Sequence, residues 1–149
     1  MEKERISIEE EINNIEENIK MLNRIYYILN NELNVASTKE EKDDRKYKIL
    51  TVLHVLRKEK ERKKEYEKFL PKADNMSVTP SKETVKDKLQ KYLNILEIYK
   101  ENSISIEIII KHGDINIIKN KFNLKDEDIE FINYLIDNYK NIHVNSKKR

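Results

Sequence analysis

The fold is decided near the N-terminus by residues 8–33, which read IEEEINNIEENIKMLNRIYYILNNEL. Large apolar residues recur there at alternating intervals of four and three, a spacing that places them along one side of a helix. The members of this stripe are Ile8, Ile12, Ile15, Ile19, Leu22, Tyr26, Leu29 and Leu33. A helix with such a stripe must bury it, so the pattern predicts packing against another helix, from the same chain or from a partner.

Local signals on either side of this stripe predict a long helical hairpin. Ser7 has a glutamate three residues later, the spacing of a capping box, and should begin a first helix that runs to about Asn34. Ser37 and Thr38 offer the same signal for a second helix, which should end at Leu70 because a proline follows. The connection is short, which favours an antiparallel, coiled-coil-like hairpin over residues 1–70.

The second half of the chain predicts a small helical bundle. Residues 71–79 are polar and aperiodic and are interpreted as a linker. Thr79 followed by Pro80 predicts the start of a third helix, and further helices should follow within residues 80–144. Residues 145–149 are expected to form a flexible tail. The fold class is therefore all-α, a long hairpin followed by a small C-terminal helical bundle.

Residues 103–111 leave two alternatives open. Isoleucines at every second position indicate a strand, but Ile109 breaks the alternation and Gly113 suits the end of a helix. A lone strand would leave its backbone groups unpaired, so a helix is favoured. Asp114 and Asp126 are expected to begin two further helices.

Composition narrows the functional classes. The 149 residues include no cysteine, one glycine and two prolines, which excludes disulfide frameworks and thiolate metal sites and disfavours sheet-rich folds. No apolar run is long enough to cross a bilayer, no signal core precedes the first helix, and a cytoplasmic location without membrane contact is expected. The three histidines lie far apart, and no catalytic, cofactor or metal motif is present, so we expect a non-enzymatic protein.

Basic residues concentrate in one segment, 57–68, although the net charge is only +2. Six of them are candidate contacts to nucleic acid: Arg57, Lys58, Lys60, Arg62, Lys63 and Lys64. Interleaved glutamates would repel a phosphate backbone, however, and an antiparallel hairpin would place the segment beside the glutamate-rich start of the first helix. An intramolecularly paired face is therefore the favoured interpretation.

A helix-turn-helix can be drawn over residues 114–139, but its chemistry argues against DNA reading. The helix meant to enter the groove would begin with Asp126-Glu127-Asp128-Ile129-Glu130. Phosphates would repel these carboxylates, so specific DNA binding is not expected. Any binding through residues 57–68 and the basic tail should be weak and salt-sensitive.

The hypothesis for function follows from the first stripe. Opposite Ile8, Ile12, Ile15 and Ile19 the second helix offers few apolar residues, so this part of the stripe is underfilled within the hairpin. A third helix could cover it; otherwise the four isoleucines would form a docking strip for another protein or a second copy of the chain. Ile12→Glu with Ile15→Glu should then disrupt assembly and leave most helix intact. The leading prediction is a protein–protein interaction module (adaptor, assembly subunit or small inhibitor of a larger complex); the alternative is a nucleic-acid-associated accessory or regulatory protein.

Overall fold

A computed structural model describes residues 5–70 and 76–142, and these are almost entirely helical. The six α-helices are α1 (Ile8–Val35), α2 (Lys39–Glu67), α3 (Val85–Glu101), α4 (Ser103–Lys111), α5 (Ile115–Phe122) and α6 (Asp126–Asn138), with a 3-10 helix at Tyr139–Asn141. Two short strands, β1 (Ile6–Ser7) and β2 (Ser77–Val78), pair antiparallel. The all-α prediction is confirmed; the tail at residues 145–149 and most of the predicted linker lie outside the described residues.

The hairpin forms as its capping signals predict. The Ser7 hydroxyl accepts the Glu10 amide at 3.0 Å, so α1 begins at Ile8. Thr38 and Glu41 form a complete capping box at the start of α2. Contacts between α1 and α2 are antiparallel, since Arg45 pairs with Glu32 beside the connection whereas Arg62 pairs with Glu11 at the far end.

The start of α3 differs from the prediction. Thr79 and Pro80 are not helical; the cap is Thr84, whose hydroxyl accepts the Asp87 amide at 3.0 Å. Upstream, β2 pairs with β1, with Ile6 opposite Val78. This pairing draws the chain into an extended path along the start of α1, so the helix begins only after the chain has left the strand.

Residues 103–111 adopt the helical alternative. Asn102 separates α3 from α4, and its carbonyl accepts the Ile106 amide at 2.9 Å. Gly113, with a φ of 80°, ends this part of the chain in the left-handed region, which glycine adopts without steric cost. The helices predicted after Asp114 and at Asp126 are α5 and α6, joined through Asn123, also left-handed with a φ of 57°.

One hydrophobic core unites the hairpin with the C-terminal helices. Its buried side chains come from all six helices, and the larger ones include Leu22, Leu50, Leu96, Ile132 and Leu135. Phe131 of α6 is also fully buried and packs edge to face with Tyr92 of α3, with ring centroids 4.9 Å apart. Because α2, α3 and α6 share this core, the C-terminal helices are held against the second half of the hairpin.

Candidate interaction surfaces

The N-terminal isoleucines of α1 are covered by the chain itself. Ile8 and Ile15 are fully buried, Ile12 is 7% exposed and Ile19 is half-buried. Tyr66 of α2 and Val78 of β2 pack against Ile8 and Ile12, so the cover comes from a strand as well as from α2. The predicted docking strip is therefore not an open surface, because β2 supplies an apolar contact that the hairpin alone lacks.

A buried cluster of charges lies beside this covered stripe. The Glu59 carboxylate is 2% exposed and accepts hydrogen bonds from Asn18 of α1 at 2.9 Å and from Lys88 of α3 at 3.0 Å. Arg62 bridges Glu59 and Glu11, with its shorter bond, 2.9 Å, to Glu11. The cluster thus joins three helices at the point where α2 has no aliphatic side chains to offer.

Glu59 stays ionised in this setting. Burial alone would raise the pKa of its carboxyl group, but the hydrogen bonds from Asn18 and Lys88 and the charge of Arg62 outweigh burial and hold the pKa below its usual value. The attraction within such a cluster only partly repays the desolvation of its charges, so its net contribution to stability is small even though removal of one partner is costly.

The basic segment divides into two faces. Lys58 pairs with Glu130 of α6 at 2.8 Å, Lys63 with Glu16 of α1 at 3.1 Å, and Arg62 belongs to the buried cluster. The predicted pairing with the acidic start of α1 is therefore confirmed for Arg62 and Lys63. These three cations already have carboxylate partners within the chain.

The other face of the segment lines an open groove. Arg57, Lys60 and Lys64 surround a space of about 420 Å³ whose apolar lining includes Leu53 and Tyr134. The Arg57 guanidinium lies 5.0 Å from the centre of the Tyr134 ring, close enough for a cation–π contact. Lys60 and Lys64 are exposed. Of the six candidate nucleic-acid contacts, Lys60 and Lys64 are exposed along this groove, and Arg57 lines it half-buried against Tyr134.

His54 lies under this groove in the shared core. Its side chain is fully buried among the rings of Tyr92, Phe131 and Tyr134, at centroid distances of 4.9, 5.0 and 5.3 Å. Its Nδ1 lies 3.0 Å from an Arg57 guanidinium nitrogen, a geometry in which the neutral imidazole accepts from the guanidinium. Burial, with the nearby charges of Arg57 and Lys58, lowers the pKa of His54 to about 4.

The acidic start of α6 is held by lysines of the same chain. Lys119 of α5 pairs with Asp126 at 2.6 Å, and Lys91 of α3 pairs with Glu127. Asp128 is buried and caps the helix by accepting the Lys125 amide at 2.9 Å. The first turn of α6 is thus committed to contacts within the chain, and its charge is the wrong sign for a DNA groove.

The exposed face of α4 is the apolar surface that the sequence analysis did not identify. Five of the nine residues of α4 are isoleucines, yet only Ile106 is fully buried. Ile104 is 77% exposed and Ile108 is 53% exposed, on the side of the helix opposite Ile106. Lys111 ends α4 on the same line and Glu101 ends α3 just before α4, and both are exposed. We call these four residues, Glu101, Ile104, Ile108 and Lys111, the α4 stripe.

Two isoleucines of α5 add to the apolar character of this end of the molecule. Ile115 is 37% exposed and Ile117 is 49% exposed, and α5 contacts α4 directly.

The signal for the α4 stripe was present in the sequence as intervals of three, four and three between positions 101, 104, 108 and 111. Isoleucines at every second position, a spacing typical of a strand, masked this helical spacing.

Comparison with protein-family models, with curated proteins and with solved structures gives no significant match to this chain. Among the described helices, none combines the length and the apolar character needed to cross a membrane. Within residues 5–70 and 76–142, no three acidic or histidine side chains are grouped so that they could hold a metal ion.

Proposed function

We propose that this chain is a non-enzymatic protein–protein interaction module that docks through the exposed face of α4. The observation that carries the proposal is the exposure of Ile104 and Ile108 on a helix in which only Ile106 is fully buried. Single exposed apolar residues are ordinary, but two large ones in line on one helix face are typical of a docking surface.

The physical support is the free energy available on docking. Burying an isoleucine completely contributes roughly 1.5–3 kcal/mol, and both side chains retain more than half of their surface for a partner to cover. The helix that presents them is anchored by Ile106 and by the bond of Tyr99 to Glu107 at 2.5 Å. A rigid helix loses little conformational entropy when it docks.

The test is a comparison of partners retained by the full chain and by surface variants. Ile104→Glu with Ile108→Glu should abolish retention of the specific partner, because two carboxylates would be desolvated at the contact. Asn23→Glu with Asn31→Glu is the matched control, since it places the same added charge on exposed positions of α1. Quantitative mass spectrometry of the proteins co-purified from the native host measures the outcome, and circular dichroism verifies that both variants are folded.

The proposal predicts at least one protein, or the chain itself, retained by the parent and the control and lost from the α4 variant. An interaction profile unchanged by the α4 variant would contradict it.

A second candidate is association with nucleic acid through the groove lined by Arg57, Lys60 and Lys64. The observation that favours it is the placement of these cations on one side of α2, away from the carboxylates that neutralise Lys58, Arg62 and Lys63. Glu61 also lines the groove and would repel phosphate, so binding should be weak and should disappear as salt rises. Lys60→Gln with Lys64→Gln should then reduce retention on heparin, and nanomolar, sequence-selective DNA binding would contradict this weak-binding account.

A further inference from the structure

The order of charges along the α4 stripe is complementary to that of a second copy running in the opposite direction. From Glu101 to Lys111 the stripe presents an acid, two isoleucines and a base, and in the opposite direction a base, two isoleucines and an acid. Ile104, Ile108 and Lys111 lie along one line of α4, whereas Glu101 is the last residue of α3 and comes two residues before α4 begins. Asn102, with a φ of −131° and a ψ of 25°, breaks the helix between Glu101 and Ile104, and its carbonyl accepts the amide of Ile106 in the first turn of α4. An acid therefore precedes the N-terminal end of α4, and a base ends the helix.

The charges at the two ends of the stripe are available to a partner. Within residues 5–70 and 76–142, Glu101 and Lys111 are exposed and neither forms an ion pair. Their neighbours differ: Lys100 pairs with Asp44 at 3.1 Å, and Glu107 accepts the hydroxyl of Tyr99. The polar groups on the flanks of α4 thus serve the fold, whereas those on the stripe do not.

We propose that the partner of this surface is a second copy of the chain, docked antiparallel on the same stripe. This inference rests on the proposed function and specifies its occupant. Ile104 of each copy packs against Ile108 of the other, and Glu101 of each copy faces Lys111 of the other. The arrangement is isologous: a twofold axis passes between the two helices, so each contact occurs twice, once from each copy.

Charge complementarity selects this occupant and this direction. In an antiparallel pair, both ends of the contact place opposite charges together, which favours the correct register. A parallel pair would oppose glutamate to glutamate and lysine to lysine, and repulsion at both ends disfavours it. A partner of unrelated sequence would have to supply this same charge pattern, whereas a second copy carries it already.

The size of the surface sets the strength of the pair. A stable interface covers about 800 Å² on each partner, far more than three side chains of a nine-residue helix and the preceding Glu101 provide. The dimer is therefore weak and reversible and forms as the concentration rises. Ile115 and Ile117 of α5, which contacts α4, are partly exposed too, but two more side chains leave the interface well below this size.

The first experiment is a charge-reversal cycle followed by sedimentation equilibrium of the full chain over a range of concentrations. Glu101→Lys and Lys111→Glu should each weaken the dimer by about tenfold, because each introduces two like-charge contacts across the twofold axis. The double variant restores opposite charges and should return the dissociation constant to within about threefold of the parent. Glu83→Lys and Lys86→Glu, at exposed positions off the stripe, are the charge-matched controls and should leave it unchanged.

The second experiment measures direction, and it exploits the absence of cysteine from the chain. Ile104→Cys and Ile108→Cys variants are mixed and oxidised. An antiparallel pair brings position 104 of one copy within disulfide range of position 108 of the other, so mixed disulfides should exceed either homodimer. Dominance of the two homodimers would overturn the antiparallel arrangement.

The outcomes separate this inference from the function on which it rests. A parent that stays monomeric up to millimolar concentration overturns self-pairing, and so does a dimer that ignores the charge reversals. If the parent is monomeric but Ile104→Glu with Ile108→Glu fails to co-purify another protein that the parent retains, the interaction function stands and only the identity of the partner is wrong. If that variant loses no protein at all, the proposed function itself fails.

Discussion

The N-terminal stripe of α1 and the α4 stripe begin with the same property and end with opposite environments. Both are lines of isoleucines at heptad spacing, but Ile15 is fully buried whereas Ile104 is 77% exposed. The first is covered because Tyr66 and β2 pack against its N-terminal isoleucines, and the charged cluster around Glu59 lies beside it. The second is left exposed, although α4 contacts α3 and α5 on its other sides. Apolar spacing therefore identifies a surface that needs a partner, and the rest of the fold determines where the partner comes from.

The largest expected contrast comes from placing two glutamates in each stripe. Ile12→Glu with Ile15→Glu should destabilise the fold by more than about 4 kcal/mol, because it buries two charges without partners. Ile104→Glu with Ile108→Glu should change the free energy of unfolding by less than about 1 kcal/mol. Thermal and urea unfolding followed by circular dichroism provide the measurement. A folded, stable α1 variant would show that the first stripe is not part of the core.

The buried cluster beside the first stripe should be the next most sensitive feature. Glu59→Gln would leave Arg62 and Lys88 partly buried without their shared carboxylate, at a cost of about 3 kcal/mol. Glu61→Gln is the control, since Glu61 is exposed on the same helix and its change should cost less than about 0.5 kcal/mol. If urea unfolding gave equal effects for the two substitutions, the Glu59 cluster would matter no more to stability than an exposed glutamate does.

Acid should weaken the core that joins the hairpin to the C-terminal helices. The unfolded chain takes up a proton on His54 near pH 6.5, whereas the folded protein resists protonation until about pH 4. The stability is therefore fully present above pH 6.5 and falls as the pH drops through this window, by about 2 kcal/mol between pH 7 and pH 5. His54→Gln should flatten this dependence and His112→Gln, at an exposed position, should not. An unchanged pH profile in the His54 variant would contradict the burial of a neutral imidazole.

The sequence predicted the features that depend on neighbouring residues. The caps at Ser7 and Thr38 and the antiparallel hairpin are set by contacts a few residues apart or by one short connection. The start of α3 was misplaced, because Thr79-Pro80 carries a start signal but Val78, directly before it, pairs with Ile6 far away in the chain, and the observed cap is Thr84.

Whether each candidate surface is covered or exposed depends on contacts between residues that are far apart in the sequence. The cover over Ile8 requires β2, and the Glu59 cluster requires side chains from three helices; neither arrangement leaves a pattern in a single segment. The exposure of Ile104 was equally hidden, since the composition of α4 is that of a core helix. Only the packed structure shows that α4 contributes one fully buried side chain and presents the others at or near the surface.

The smallest perturbation gives the most direct test of the central claim, that the α1 stripe is internal and the α4 stripe is open for a second copy. Ile15→Cys and Ile104→Cys each place the sole thiol of the chain on one stripe. The rate of thiol labelling should be slow for Ile15→Cys at every protein concentration. For Ile104→Cys it should be fast in dilute solution and should fall as the concentration rises and the dimer forms. Slow labelling of Ile104→Cys even at the lowest concentration, or rapid labelling at both positions, would contradict the account.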